Sequence, residues 1–233
     1  MIRARRLCVI PFGIALTFLV TFANPCDAGQ SAQSLIDAGL PAQCADYAAK
    51  VSSSEGSFSS VNQFGCGGAF QFCPGTFERY YSGSRQSFLS DPAAQVAAFT
   101  KYEKDQYALA QKNGLTSLVG KQVCFDGSCS QISDSSILFA CQFGCGANGK
   151  LANYVASGNC NAANVKDGNG LSVCAYLQRG AGYDASCFTG NSSGTNNNGG
   201  GTNCPGSGSG TSPGTVVPPT PGNAPVSLPP NLA

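Results

Sequence analysis

The chain has 233 residues, with 13 basic and 12 acidic side chains, 13 cysteines and no histidine. Without histidine it cannot form a Ser-His-Asp triad, a Cys-His nucleophile pair or a catalytic zinc site held by imidazoles. The charge is near neutral, with no basic patch or polybasic run, which argues against nucleic acid as a partner. Acid–base chemistry near neutral pH then falls to a carboxyl group with a raised pKa, and we expect neither metal nor cofactor.

Residues 1–23 have the order of a secretory signal peptide. Three arginines precede an apolar run over residues 7–20, and small residues follow it. The run is short for a membrane span of about 20 residues, although an uncleaved anchor is the alternative. Cleavage after Ala23 leaves 12 cysteines, whereas cleavage after Ala28 leaves 11, so the even number favours Ala23. We therefore predict an exported protein, periplasmic or secreted, with no stable membrane span after cleavage.

The cysteines agree with export, because an oxidising compartment favours disulfides over an all-cysteine zinc site. Their pairing stays open at this level. Residues 189–233 contain no charged or aromatic side chain and are rich in Gly, Ser, Asn, Thr and Pro, which predicts a disordered tail. Cys204 lies in this tail and either ties it back or is a free thiol. The folded domain is then predicted over residues 30–188.

Helical spacing and capping signals predict that this domain is mainly α. The predicted helices cover residues 43–54, 74–80, 92–113, 133–141, 150–156 and 172–179. Asp91-Pro92 is a cap followed by a first-turn proline, and Gly114 is a natural stop. Alternating strand patterns are scarce, and residues 124–129 predict the turn of a small hairpin.

Glu55 is the leading candidate for chemistry. It falls at the predicted end of the helix from Gln43, followed by a Gly/Ser-rich loop and a Gly-rich segment over residues 65–76. The negative end of the helix dipole and the nearby Phe70 and Phe72 would raise its pKa if the carboxyl is buried. A raised carboxyl pKa suits a general acid at neutral pH. The alternative is a solvated residue at a helix end.

Glu55 and the segment Gly-Ala-Phe-Gln-Phe-Cys-Pro-Gly-Thr over residues 68–76 resemble the soluble lytic transglycosylase family of the lysozyme-like superfamily. The positions that match the family pattern, at a fitting distance from Glu55, are Gly65, Gly68, Gln71, Phe72, Pro74 and Thr76. A third, partial match over residues 140–146 keeps the glycines, but Cys141-Gln142 stands where the family has Tyr-Asn. The resemblance covers residues 41–155 and implies a disulfide-braced, lysozyme-like single domain.

The resemblance implies cleavage of the β-1,4 bond between N-acetylmuramic acid and N-acetylglucosamine in peptidoglycan. Glu55 would protonate the glycosidic oxygen and then, in the transglycosylase course, deprotonate the muramyl 6-hydroxyl to close a 1,6-anhydro ring. That course needs no second carboxylate. Glu78 and Asp91, the nearest downstream acids, are interpreted as a surface charge and a helix cap, but either of them across the cleft would favour hydrolysis.

The resemblance also implies a set of substrate-binding residues. Gln71 and Gln142 would bond the sugar, Gly68 would let the backbone approach it, and three aromatic residues would stack on sugar rings: Phe70, Tyr80 and Tyr81. Core packing is the alternative for these aromatics. Cys66 and Cys73 are close enough in sequence to bridge, to each other or to other cysteines. Residues 64–69 are echoed by residues 143–147, which predicts two Gly-rich turns facing one cleft.

Peptidoglycan glycan strands are thus the expected partner. A secretion or conjugation apparatus that must pass the cell wall is a second partner, by analogy alone. Two other functions stay open. One is a non-catalytic module that binds the glycan without cutting it, which the replaced Tyr-Asn and Gly56, where the family has Ser, would favour. The other is a disulfide-rich secreted structural protein, which should bind no glycan.

Overall fold

The computed structural model of the protein describes residues 29–191. Within this range the protein is mainly helical, and its α-helices are α1 (Ala32–Asp37), α2 (Ala45–Glu55), α3 (Thr76–Tyr80), α4 (Arg85–Leu89), α5 (Pro92–Lys112), α6 (Asp134–Ala140), α7 (Lys150–Ser157), α8 (Val173–Arg179) and α9 (Ser186–Thr189). Short 3-10 turns cover residues 42–44, 115–118, 141–143 and 163–165. The predicted signal peptide, Cys26, Cys204 and the predicted tail beyond residue 191 lie outside the described residues.

Local capping explains where the predicted helices begin. The Asp91 side chain accepts a hydrogen bond from the Ala94 N–H at 3.0 Å, and Pro92 occupies the first turn of α5. Ser133 and Ser172 cap α6 and α8 in the same way. The predicted starts of these three helices are confirmed.

Two predicted helix starts are shifted by backbone geometry. The helix predicted from Pro74 begins at Thr76, because Gly75 has a φ of 89°, outside the helical range. After Pro41 the chain makes a 3-10 turn before α2 begins at Ala45. Both shifts leave the predicted helices in place and change only their first turn.

The predicted hairpin is confirmed by an antiparallel pair of strands, β1 (Gln122–Phe125) and β2 (Ser128–Gln131). Asp126 and Gly127 form its two-residue turn with φ values of 50° and 77°, as a type I′ turn requires. Cys124 and Cys129 face each other across the strands and form a disulfide.

Helix α5 crosses the core and packs against α3, α4, α6 and α9. Its inner face is buried and includes Phe99 and Tyr102. The fold continues beyond the predicted boundary at residue 188. Asn191 Nδ2 donates to the Tyr107 hydroxyl at 2.8 Å and to Asp134 Oδ2 at 3.0 Å, which ties the end of α9 to α5 and α6.

Five disulfides join cysteines of the described chain: Cys44–Cys187, Cys66–Cys73, Cys124–Cys129, Cys141–Cys145 and Cys160–Cys174. The first links α9 to the turn before α2, and the other four close short loops. This confirms the prediction of a disulfide-rich domain. Between residues 29 and 191, none of the helices has both the length and the apolar character needed to cross a bilayer.

Candidate functional site

A pocket of about 290 Å³ opens beside the C-terminal half of α2. Its wall combines aromatic, amide and charged side chains, and its lining residues are Val51, Phe70, Phe72, Cys73, Thr76, Phe99, Tyr102, Gln142, Phe143, Gly144, Lys150, Asp167 and Gly168. Such a mixture of apolar wall and a few polar groups is typical of a small-ligand site.

Two disulfide-closed loops supply much of this wall. The loop closed by Cys66–Cys73 contributes Phe70 and Phe72, and the loop closed by Cys141–Cys145 contributes residues 142–144. The second loop overlaps the echoed segment 143–147, whereas none of residues 64–69 lines the pocket. The prediction of two Gly-rich turns facing one cleft therefore holds only for the second turn, and the first disulfide loop reaches the pocket through residues that follow its turn.

The apolar part of the pocket is a pair of stacked rings. Phe70 lies parallel to Phe99 of α5, with ring centroids 3.8 Å apart and an interplanar angle of 7°. Both rings line the pocket. The two rings cover each other's faces and are almost fully buried, with 3% of Phe70 and 1% of Phe99 exposed, so they form a packed apolar wall rather than an open stacking surface.

Glu55 is the last residue of α2. It is not among the residues that line the pocket, but it lies one helical turn after Val51, which does line it. The glutamate is partly exposed, but its Oε2 atom is buried and has no hydrogen-bond partner. Burial raises the pKa of Glu55 to about 8. Burial is the main cause that raises the pKa of the pocket residue Tyr102 above its ordinary value, followed by the charges of Glu103 and Tyr80 and, least, of Glu55. Glu55 is thus a protonated carboxyl group beside the pocket at neutral pH.

The backbone conformation after Glu55 accounts for the glycine at position 56. Its φ of 150° lies in a region that side chains rarely adopt, and its N–H donates to the Ser52 carbonyl at 2.9 Å to end α2. A Cβ atom here would also lie only 3.0 Å from the Ser60 side chain and 3.4 Å from Gln71 Nε2. The glycine therefore lets the chain turn sharply after Glu55.

Gln71 and Gly68 form a buried turn behind the pocket wall. Gln71 has a φ of 47°, and its Nε2 donates to the Gly68 carbonyl at 2.9 Å. A Cβ atom on Gly68 would collide with Gln95 Oε1, which itself accepts the Ala69 N–H at 2.9 Å. Neither Gln71 nor Gly68 is among the lining residues, so both shape the loop that carries Phe70.

Tyr80 and Tyr81 also lie away from the lining. Tyr80 packs on Phe72 and on Tyr102, with the closer ring centroids 5.5 Å apart. Tyr81 packs against the buried Phe88 at 5.1 Å. These two tyrosines follow the core-packing alternative, whereas Phe70 and Gln142 of the predicted binding set do line the pocket.

The two acids closest to Glu55 in the downstream sequence do not reach the pocket lining. Glu78 is exposed and accepts the Gly75 N–H at the start of α3. Asp91 caps α5. Both match their interpretation as surface charge and helix cap.

Sequence reasoning missed a buried carboxyl group on α5. Glu103 is fully buried and accepts hydrogen bonds from the Tyr47 hydroxyl at 3.2 Å and from Gln142 Nε2 at 3.1 Å. Burial raises the pKa of Glu103 to about 8, although both hydrogen bonds act to lower it. Glu103 lies four residues after Phe99 and four before Tyr107, so it shares their buried face of α5. This spacing is the sequence pattern that could have predicted a buried acid.

Sequence reasoning also missed Asp167 and Tyr176, which belong to the loop before α8 and to α8 itself. Asp167 Oδ2 and the Tyr176 hydroxyl are buried and have no hydrogen-bond partner in the described chain. The Tyr176 ring lies against Phe143 of the pocket wall, with centroids 4.0 Å apart. Buried polar groups are almost always paired in folded proteins, so unpaired ones beside a pocket indicate a place for a ligand.

No protein-family model, curated protein or solved structure matches the chain.

We expect the free energy of unfolding to fall as the pH rises from about 4.5 to about 8, because two carboxyls have raised pKa values in the fold. Glu55 and Glu103 are protonated in the folded state at pH values where they ionise in the unfolded chain. Unfolding then releases protons, and each group contributes up to about 1.4 kcal/mol per pH unit. Glu103→Gln should remove one of the two contributions.

Urea unfolding at about pH 5 and about pH 7.5 measures this slope. Asp37→Asn, on the exposed side of α1, is the matched control and should keep the wild-type slope. A Glu103→Gln protein with the wild-type slope would show that Glu103 is not a buried neutral acid.

Proposed function

We propose that the protein cleaves the glycan strands of peptidoglycan at the β-1,4 bond between N-acetylmuramic acid and N-acetylglucosamine, with Glu55 as the general acid. The observation that carries this proposal is the Glu55 carboxyl, which is partly desolvated, has no hydrogen-bond partner for Oε2 and has a pKa of about 8. A carboxyl group that keeps its proton at neutral pH can donate it to a leaving-group oxygen.

The first step is the same for any glycosidase of this kind. The proton of Glu55 passes to the glycosidic oxygen, the bond from that oxygen to C1 breaks, and positive charge develops on the sugar ring. In the lytic transglycosylase course, which the sequence resemblance implies, the Glu55 carboxylate then takes the proton of the muramyl 6-hydroxyl. The 6-oxygen bonds to C1 and closes the 1,6-anhydro ring.

The pocket supports a sugar ligand in two further ways. The almost fully buried Phe70–Phe99 pair forms part of an apolar pocket wall against which a sugar ring can pack. Gln142 donates its amide N–H to Glu103, which leaves its amide oxygen as the acceptor for a hydroxyl or acetamido N–H of the ligand. Glu103 therefore orients Gln142 for this contact.

A lysozyme-like single domain and export to the periplasm or beyond belong to the same proposal. Disulfides persist in oxidising compartments, and five of them brace this domain. Peptidoglycan lies in the same compartments. The mainly α architecture, with its acid at a helix end beside a pocket, is compatible with that fold.

The test is digestion of purified peptidoglycan by the oxidised protein, with the soluble products separated and identified by mass spectrometry. The expected products are muropeptides that end in N-acetylmuramic acid, because the bond that breaks joins the glycosidic oxygen to C1 of that sugar. A folded protein that releases no soluble product would contradict the proposal. Co-sedimentation with peptidoglycan would then separate a non-catalytic glycan binder from a structural protein that binds none.

A further inference from the structure

Asp167 brings a second carboxyl group to the pocket beside which Glu55 lies. Its Oδ1 atom accepts the N–H groups of Asn169 at 2.8 Å and Leu171 at 2.7 Å, which fixes the side chain in its loop. The other oxygen, Oδ2, is buried without a partner, and the residue lines the pocket. The loop therefore holds one oxygen of Asp167 in place and leaves the other available to a ligand.

Tyr176 lies beside the same pocket, with its ring against Phe143 of the wall. Its hydroxyl is buried and unpartnered, and only 6% of the side chain is exposed. Burial raises the pKa of Tyr176 above its ordinary value, and the charges of Asp167 and Glu55 raise it further, while Arg179 opposes them. Both carboxyl groups therefore lie within electrostatic reach of one hydroxyl.

The described chain has four buried side-chain atoms without a hydrogen-bond partner, and three of them belong to this group: Glu55 Oε2, Asp167 Oδ2 and the Tyr176 hydroxyl. Asp167 lines the pocket, Tyr176 packs against its wall residue Phe143, and Glu55 lies one helical turn after its wall residue Val51. Buried polar groups are almost always paired, so unpaired ones at and beside this pocket indicate a place for a ligand or a reacting water.

We infer that Asp167 is a second catalytic carboxylate of this site and that the protein hydrolyses its glycan by a water that Asp167 activates. This inference rests on the proposed function. Glu55 donates its proton to the glycosidic oxygen, and the bond from that oxygen to C1 breaks. The water oxygen bonds to C1, and its proton passes to the Asp167 carboxylate, with Tyr176 bonded to the same water. Solvent then returns a proton to Glu55 and takes one from Asp167.

Hydrolysis and anhydro-ring closure leave different products. Hydrolysis produces N-acetylmuramic acid with a free reducing end that carries an oxygen atom from water. Ring closure produces an anhydro sugar, lighter by one water, with no oxygen from the solvent. The inference therefore predicts reducing-end products from the wild-type protein and ¹⁸O at those ends when the digest is run in ¹⁸O-labelled water.

Asp167→Asn is the direct variant, because its amide oxygen still accepts from the N–H groups of Asn169 and Leu171 and keeps the loop. We expect the rate of release of reducing ends to fall about 100-fold or more, since an amide cannot take the proton of water. Asp126→Asn, in the exposed hairpin turn, is the matched control and should keep the wild-type rate. Unfolding curves of the two variants show whether both are folded.

Asp167→Ala with added azide separates a catalytic role from a structural one. Azide is a nucleophile that needs no base. In Asp167→Ala it should occupy the space of the missing carboxylate and form a glycosyl azide, which restores the rate of cleavage that the variant has lost. Glu55→Gln with azide should stay inactive, because the leaving group still lacks its proton.

The possible outcomes distinguish this inference from the proposed function. Anhydro products from the wild-type protein, or Asp167→Asn cleaving within about twofold of the wild-type rate, would overturn Asp167 as the base and leave cleavage by Glu55 standing. A wild-type protein that releases no product from peptidoglycan would overturn both. Reducing ends that depend on Asp167 and an azide adduct from Asp167→Ala would establish the second carboxylate.

Discussion

Glu55→Gln should lower the rate of peptidoglycan cleavage by about 1000-fold or more, the upper range of what a general acid contributes. The amide that replaces the carboxyl has the same shape but cannot protonate the leaving oxygen. The free energy of unfolding should stay unchanged or rise at neutral pH, because the wild-type carboxyl is held protonated in the fold while it ionises in the unfolded chain. Loss of activity with retained stability is the expected combination.

The pH dependence of the wild-type rate gives an independent check. Because burial raises the pKa of Glu55 to about 8, the acid keeps its proton below that pH and loses it above. The rate should therefore decline as the pH rises past about 8. Glu78→Gln, which removes an exposed carboxyl that caps α3, is the matched control and should keep both the rate and this decline. A Glu55→Gln protein that cuts at a rate near that of the wild type would exclude Glu55 as the acid.

The sequence predicted those parts of the fold that depend on neighbouring residues. Asp91, Ser133 and Ser172 each bond an N–H two or three residues ahead, so their helices could be placed from local pattern. The hairpin turn at Asp126-Gly127 is equally local. The helix α4 has a comparable cap in Ser84, but five residues are too few for a recognisable apolar period.

The candidate site could be predicted only in part, because its members come together through packing. The echo between the two Gly-rich turns identified one wall of the pocket, at Phe143 and Gly144, and Phe70 and Gln142 of the predicted binding set also line it. Tyr80 is close to Phe72 in the sequence, but its ring packs against Phe72 and against Tyr102 of α5 and does not line the pocket. The position of α5 determines this packing. No local pattern places Asp167 at the pocket, because its loop is brought there by tertiary packing, of α8 against α6 and the hairpin and of residues 163–165 against α7.

Removing the Cys44–Cys187 disulfide with the double serine variant should lower the free energy of unfolding by about 5 kcal/mol, whereas removing Cys141–Cys145 should lower it by about 2 kcal/mol. The reason is loop length. The first bond joins residues 143 apart and the second joins residues 4 apart, and the entropy that a crosslink removes from the unfolded chain grows with the closed loop. Urea unfolding of the two double variants beside the oxidised wild type measures both losses.

The same two variants should have the opposite order of effects on cleavage at a temperature where both are folded. Cys44–Cys187 lies outside the pocket lining, so its loss should leave the rate of peptidoglycan cleavage close to that of the wild type. Cys141–Cys145 holds Gln142 and Phe143 in the pocket wall, and its loss frees the segment that orients the ligand. A variant without Cys141–Cys145 that keeps the wild-type rate would show that the short disulfide contributes to stability alone. The expected result is the larger loss of stability in the variant without Cys44–Cys187 and the larger loss of rate in the variant without Cys141–Cys145. It would show that the long disulfide stabilises the domain and that the short one positions its site.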